Sequence, residues 1–358
     1  MTTINPASAG AAAAYRAATE APREGVSFGA TLTRALEHTV EASRTADATD
    51  WNAMALPALF EVLCRADAED AVTRALREDL GDAGDVTSAA CFGPGDRGRA
   101  KIVSRAEGVL AGIRVAEIVA ARAGLSFRVH VEDGARVGRG TPVATVEGPL
   151  LALLSHERTM LNFLTLLSGN ATLAAQFIDA VRGTRAAICD TRKTVPGLRT
   201  LQKYATRCGG ATLHRIGLFD AALFKDNHLA AFAGDSLAAR ARETAMRART
   251  SSPLAFVECE VDTLAQLDEL LSLEQGVLDM VLLDNMDPGT LAEAVRRRDA
   301  RAPWIKLEAS GGVRLDTVRR IAASGVDRIS VGALTHSSQA LDLGLDLVID
   351  RATDGAPR

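Results

Sequence analysis

Apolar positions recur with a regular period only after residue 55. Leu56, Leu59, Phe60 and Leu63, then Val72, Leu76 and Leu80, fall at helical spacing and predict two amphipathic helices, the second stopped by Gly81 and Gly84. Short alternating segments follow, with strands expected over 99–104, 108–112, 126–131 and 142–146 and a helix over 114–123. Residues 156–169 (HERTMLNFLTLLSG) predict a helix with an apolar face and a charged start, leading through 171–181 into a different regime. Beyond 185, strand-like and helix-like runs alternate. Strands are expected over 186–190, 211–216, 221–224, 255–261, 279–284, 304–309 and 328–332, and helices over 263–271, 288–297 and 315–324. Such alternation predicts an α/β fold with parallel strands, and this many units predicts a barrel, whose active site lies at the C-terminal strand ends.

The first 50 residues are rich in Ala, Thr, Ser and Glu and carry little sustained pattern beyond a short helix over 31–43, so they read as a flexible extension. They lack the basic start and apolar block of a secretory signal, and Glu20, Glu24, Glu37 and Glu41 argue against a transit peptide. Residues 131–149 (VEDGARVGRGTPVATVEGP) are similar to the turns of a lipoyl or biotinyl carrier, but such a carrier presents a lysine at its hairpin tip and none lies here. The segment is a structural β element.

Composition narrows the partners. A chain of 358 residues has room for two domains, or one with an extension. Its net charge of −4 and pI near 5.9 argue against nucleic-acid binding, so any anion site must be local. No uninterrupted apolar run reaches membrane-spanning length, and a soluble protein with no membrane partner is expected. Cys64, Cys91, Cys189, Cys208 and Cys259 show no CxxC spacing, which fits reduced thiols in the cytoplasm better than disulfides or a zinc site.

Candidate chemistry concentrates between Cys189 and His228, where Arg192, Lys193, Arg199, Lys203, Arg207, Arg215 and Lys225 accompany His214 and His228. Charge runs are usually solvated faces. Here the cations sit at strand ends and near paired glycines rather than in a helical stripe, which favours an anion site. Strand 186–190 ends in Asp190, Thr191, Arg192 and Lys193; later strands deliver His214 and Arg215, then Lys225, then Glu258 and Glu260, then Asp284 and Asn285. Lys306 and Glu308 precede Ser310, Gly311 and Gly312, and the last strand ends in Ser330, Val331 and Gly332. Single carboxylates at strand ends commonly cap helices, and glycine pairs commonly make turns. Together they form one rim with cations early, carboxylates in the middle and glycine loops late, where barrels bind phosphate.

The runs ERTMLNFLTLLSGNAT, DTRKTVPGLRTLQKYATRCGG, HRIGL, KDNH, VECEVD, LLDNM, EASGG and SVGALTHS closely resemble the quinolinate phosphoribosyltransferase family, and ALREDLGDAGDVTS and GVLAGI resemble its N-terminal domain. The resemblance covers residue 56 to the C-terminus. It implies an open α/β sandwich (51–155) followed by an incomplete, seven-stranded type of α/β barrel (156–358) with a C-terminal helix, assembled as a homodimer or a higher oligomer. It also implies quinolinate, 5-phosphoribosyl diphosphate and Mg²⁺ as substrates and cofactor, with nicotinate mononucleotide, diphosphate and CO₂ as products.

By position in the family's motifs, Thr191, Arg192, Lys193, His214 and Arg215 hold the quinolinate carboxylates, and Arg158 reaches the neighbouring subunit's site. Lys225 meets the diphosphate donor. Glu260 and Asp284 lie near ribose and metal and, with Lys193, carry catalysis. Ser310, Gly311, Gly312, Ser330, Val331 and Gly332 surround the 5-phosphate. On the same resemblance, Arg199, Lys203 and Arg207 face solvent or the partner. The chain departs from the family at Leu213, at Phe219 and in a link lengthened at 273–277, and residues 1–50 have no family counterpart. Other readings are a molybdenum-associated or nicotinate-using relative on the same scaffold, and a non-catalytic binder of anionic metabolites. Paired carboxylate clamps argue against nicotinate, and the intact Glu260, Asp284 and glycine loops argue against a simple binder.

Overall fold

The computed structural model describes residues 49–229 and 236–350. Nearly all of the expected extension, including the helix over 31–43, lies outside them. The chain divides into two compact units, one formed by Trp51–Ile216, Asp284–Val295 and Glu308–Arg358, the other containing Gly217–Leu283 and Arg296–Leu307.

The first unit opens with a continuous helical run rather than two helices: α1 (Leu56–Leu59), a π turn (Phe60–Cys64) and α2 (Arg65–Leu80). Gly81, at φ 52°, ends it in a conformation that side chains rarely adopt. After α3 (Val86–Cys91) come β1 (Arg97–Ser104), β2 (Gly108–Val109), α4 (Ile113–Arg122), β3 (Ser126–Val129), β4 (Arg136–Val137) and β5 (Pro142–Pro149). The helix α5 (Leu150–Ala180) then runs 31 residues without a break, so the boundary expected at 155/156 falls inside it.

Where the family resemblance implied a C-terminal helix, the last described residues form a strand, β12 (Leu343–Asp350), lying antiparallel along β1. Its sequence LGLDLVID sets Leu343, Leu345, Leu347 and Ile349 at every second position, with Asp346 and Asp350 on the opposite face, which suits a strand and not a helix. The sheet order is β12-β1-β5-β3. Ala100 and Ile102 of β1 are buried while Arg99 and Lys101 are exposed, so one sheet face packs in a core with Val115 and Val119 of α4 and Leu153 and Leu164 of α5.

The remaining strands are β6 (Ala187–Cys189), β7 (Ala222–Phe224), β8 (Val257–Val261), β9 (Met280–Asp284), β10 (Lys306–Ser310) and β11 (Arg328–Ser330). They form a six-stranded parallel sheet in the order β6-β11-β10-β9-β8-β7, a partial α/β barrel. The intervening helices are α6 (Arg199–Cys208), α7 (Asp226–Leu229), α8 (Leu237–Ser251), α9 (Leu264–Leu270), α10 (Pro288–Arg301), α11 (Leu315–Ala323) and α12 (Ala333–His336). The strand expected over 211–216 is reduced to one parallel bridge, Cys189 with Thr212. Its next residue has both backbone groups taken by a side chain, since Asn52 Oδ1 accepts from Leu213 N–H at 2.7 Å and Asn52 Nδ2 donates to Leu213 C=O at 3.0 Å. The lengthened link at 273–277 is a tight turn whose Glu274 pairs with Arg242 on α8. Among the described residues no helix is long and apolar enough to cross a membrane.

Because β12 supplies an entire ladder to β1, a chain ending at Asp342 should lose its cooperative thermal transition and associate through the exposed edge of β1. Circular dichroism melting with light scattering reads this, and an unchanged midpoint would contradict the role given to β12.

Candidate active site

Asp190 follows β6 directly and is fully buried. An isolated carboxylate there would be costly, so its surroundings supply donors. Lys203 Nζ of α6 lies 2.5 Å from Asp190 Oδ1, and both side chains are completely buried. Thr206, one helical turn on, donates to Oδ2 at 3.3 Å, and the His214 backbone N–H donates to Oδ1 at 2.9 Å. Lys203 therefore does not face solvent or a partner, as its place in a basic run suggested. It faces inward because Asp190 leaves it no equally good alternative.

A second buried carboxylate stands on β10. Glu308 is 0% exposed; Ser330 Oγ donates to its Oε1, His214 Nε2 lies 3.3 Å from that oxygen, and Arg328 Nε is 2.8 Å from Oε2. The Arg328 contact is an ion pair by distance but lies off the hydrogen-bonding direction. Burial alone would raise the Glu308 pKa; His214, Arg328 and Ser330 outweigh it and bring the carboxyl down to about 2. On its other edge, His214 Nδ1 accepts the Arg215 N–H at 2.8 Å. The ring's other nitrogen, Nε2, faces Glu308. His214, 8% exposed, is thus fixed through its ring and its backbone.

Thr191 and Arg192 are half-buried and Lys193 is exposed. Lys193 N–H donates to Thr191 Oγ1 at 3.1 Å, and Lys193 C=O accepts from Thr335 Oγ1 at 2.7 Å, which ties this loop to α12. Asp284 ends β9 and accepts from Asn285 Nδ2 at 2.6 Å. Asn285 has φ 53° and donates its backbone N–H to Ser310 C=O at 2.9 Å. Gly311, at φ 96°, has no room for a side chain, since a Cβ would stand 2.1 Å from Asn285 Oδ1. A strained non-glycine residue wedged against a glycine is the kind of backbone that concentrates at functional sites.

Ser330 and Val331 are placed differently from the phosphate role their motif implied. The Ser330 hydroxyl is committed to Glu308, and Val331 N–H donates to Cys189 C=O at 2.9 Å as part of the sheet. Of that loop, Gly332 stays half-buried beside the Lys193 side chain, while Ser310 is half-buried and Gly312 exposed on the preceding one. Arg158 projects from α5 with 72% of its side chain exposed, 3.7 Å from Glu157, a pairing too exposed and too long to hold it.

In the other unit, Lys225 follows β7 and its ammonium pairs with Glu260 on β8. Glu258, two residues earlier, is completely buried, so the strand carries acids of contrasting exposure on the same face. Lys225 N–H also donates to His228 Nδ1 at 3.0 Å, fixing the KDNH turn. Phe219 is 65% exposed, with its ring over Gly217. The thiols of Cys189 and Cys259 are pushed up to about 12 by burial first, which leaves them un-ionised and unsuited to nucleophilic work.

The family comparison decides among the readings. The sequence model of the quinolinate phosphoribosyl transferase N-terminal domain matches residues 85–168, and that of the C-terminal domain matches residues 170–346. This chain belongs to the quinolinate phosphoribosyl transferase family. It is 46% identical over 284 residues to the nicotinate-nucleotide pyrophosphorylase [carboxylating] of Mycobacterium leprae, spanning 78% of this chain and 97% of that one. A probable nicotinate-nucleotide pyrophosphorylase [carboxylating] of Bacillus subtilis is 37% identical over 280 residues, or 76% of this chain and 90% of its own. The crystal structure of NadC from Streptococcus pyogenes superposes with a TM-score of 0.73 at 32% identity, covering 81% of this chain and 99% of that one. Quinolinate phosphoribosyl transferase membership confirms the expected α/β architecture, and the junction of the two family domains falls within α5.

Lys203→Met should cost about 3–5 kcal/mol in denaturant unfolding, because it strands the Asp190 carboxylate without its counter-charge. Adding Asp190→Asn to it should recover part of the loss, and additive losses would contradict the pairing. Glu308 sets a pH dependence. The folded carboxyl stays ionised down to about 2 while the unfolded one takes a proton near its ordinary 4.5, so the unfolded chain binds more protons in that window. Its stabilisation is complete above about 4.5 and lost as pH falls toward 2. Unfolding free energies measured from pH 6 downward should decline through that window; a flat profile would contradict it.

Proposed function

We infer that this chain transfers the 5-phosphoribosyl group from 5-phosphoribosyl diphosphate to the ring nitrogen of quinolinate and releases CO₂, yielding nicotinate mononucleotide for NAD synthesis. The observation that carries the reading is the Asp190 anchor. It holds the His214 backbone against the end of β6, so the Arg192–Lys193 pair and the His214–Arg215 pair flank one fixed carboxylate. Cations in two pairs suit a planar acid with two carboxylates, and guanidinium forks suit each of them in turn.

In the reaction the bond from the anomeric carbon to diphosphate breaks, its electron pair leaves on the diphosphate, and the ring nitrogen forms the new C–N bond. The anomeric centre gains oxocarbenium character, which carboxylates such as Glu260 and Asp284 stabilise electrostatically. Once ribosylated, the positive ring accepts the electron pair left by the adjacent carboxylate as CO₂ departs, and a proton replaces it. Lys193 and Lys225 are assigned to balance substrate charge, Lys225 exchanging Glu260 for the donor's diphosphate. Ser310, Gly311, Gly312 and Gly332 are assigned to the 5-phosphate.

Glu260 and Asp284 offer only oxygen donors, the class Mg²⁺ takes, so the residues fit that ion. Glu260 is already matched by Lys225, which suits an ion carried in on the diphosphate rather than one caged by protein. When bound, Mg²⁺ neutralises the leaving diphosphate. We further propose a cytoplasmic homodimer in which exposed Arg158 serves the neighbour's site; the free cysteines suit that compartment.

Incubation with quinolinate, the phosphoribosyl donor and Mg²⁺ should give nicotinate mononucleotide and CO₂. Product from nicotinate and none from quinolinate would overturn the reading. Arg158→Ala and Arg192→Ala proteins should each be inactive, and mixing them should restore about a quarter of the activity per site if random exchange rebuilds intact shared sites. Absence of rescue with exchange demonstrated would contradict the shared arginine.

A further inference from the structure

Asn52 lies upstream of both stretches matched by the family and is half-buried at the start of the first unit. Its side-chain amide clasps the backbone of Leu213, donating to Leu213 C=O at 3.0 Å and accepting from Leu213 N–H at 2.7 Å. A carboxamide offers the same donor and acceptor pair as a peptide group, so this contact is one rung of a β-ladder built from a side chain. Asn52 is itself held, because its C=O accepts from Arg207 Nη2 at 3.1 Å and its neighbours Trp51 and Met54 pack on the core.

The backbone on the far side of the rung alternates as an extended chain must. Thr212 turns to β6, its N–H donating to Ile188 C=O at 2.8 Å and its C=O accepting from Asp190 N–H at 3.2 Å. Leu213 turns the opposite way, to Asn52, and His214 turns back, its N–H on Asp190 Oδ1 at 2.9 Å. The Leu213 side chain is 3% exposed and belongs to the core. Residues 212–214 are therefore fixed from both edges although, among the described residues, no second strand lies alongside Leu213. The direction in which His214 and Arg215 leave the backbone depends on both edges.

We propose that Asn52 is a positioning residue for quinolinate binding, supplying from outside the family's matched region the outer ladder rung that aims His214 and Arg215. The inference rests on the assignment of those residues to a quinolinate carboxylate. A segment adjoining the N-terminal extension thereby reaches the acid-binding half of the reaction and leaves the phosphoribosyl half alone.

The test is steady-state kinetics on the full chain with Asn52→Ala and Asn52→Asp, alongside circular dichroism melting. Asn52→Ala should raise KM for quinolinate about tenfold, which corresponds to about 1.4 kcal/mol, the scale of a buried hydrogen-bond pair. KM for the phosphoribosyl donor should stay within about twofold, since that is under the scale of one hydrogen bond. Asn52→Asp keeps the size and the acceptor but sets a carboxylate oxygen against the Leu213 C=O, so it should raise the quinolinate KM at least as much. A purely packing role would make the isosteric Asp milder than Ala and would lower the amount of folded enzyme without separating the two KM values. Wild-type quinolinate KM in Asn52→Ala, or both KM values rising together, overturns the inference alone. No turnover of quinolinate by the wild-type chain overturns the proposed activity and the inference with it.

Discussion

Two buried carboxylates on the parallel sheet, one just past β6 and one midway along β10, are the constraint around which this molecule is arranged. Asp190 and Glu308 are both fully inaccessible to solvent, and ionised carboxylates in such places persist only when donors surround them. Each has a counter-charge outside the substrate assignment, Lys203 for one and Arg328 for the other. Thr206 and Ser330 add a hydroxyl each, and the other donors come from a residue that matters for recognition: the His214 backbone for Asp190, and the His214 ring for Glu308. Satisfying two unavoidable acids thus also fixes the histidine that begins the second cationic pair. Structural electrostatics and substrate recognition share the same bonds.

The surrounding architecture serves that arrangement. The sheet β12-β1-β5-β3 and α5 make a core that includes Leu213 and Ile216, so the residues flanking His214 and Arg215 are rooted in hydrophobic packing and not in a free loop. Pairing of β12 with β1 ties residues 343–350 to the first sheet. In the other unit, Lys225 and Glu260 form a more exposed pair, which suits groups that must exchange one another for a substrate's charge during the reaction.

Much of this was legible in the sequence. Strand ends bearing charge and the alternation of elements beyond residue 185 were read from pattern, and motif resemblance supplied the family. What pattern missed has physical causes. Lys203 looks like surface in a basic helix because periodicity carries no record of a buried partner at the end of the preceding strand; Asp190 after the apolar run AIC is the available signal. The strand over 211–216 has the right composition, yet Asn52, more than a hundred residues earlier, takes the groups that would have paired. Ser330 and Val331 matched a phosphate loop by motif, but their polar groups answer to Glu308 and to β6. The family resemblance implied a C-terminal helix without placing it, whereas the last described residues, 343–350, form a strand. For Lys203 and the 211–216 segment a long-range contact overrides the local reading, as tertiary context commonly does.

The central claim, that buried carboxylate anchors aim the cations that receive the substrate, is tested most directly by calorimetric titration of quinolinate into the wild-type chain and Glu308→Gln. The substitution keeps the side chain's size, removes its charge and turns one accepting oxygen into a donating amide. With the protein still folded, the account predicts that Kd rises about tenfold or more, the scale of hydrogen bonds to a charged group. A folded Glu308→Gln protein that binds quinolinate as tightly as the wild type would contradict it.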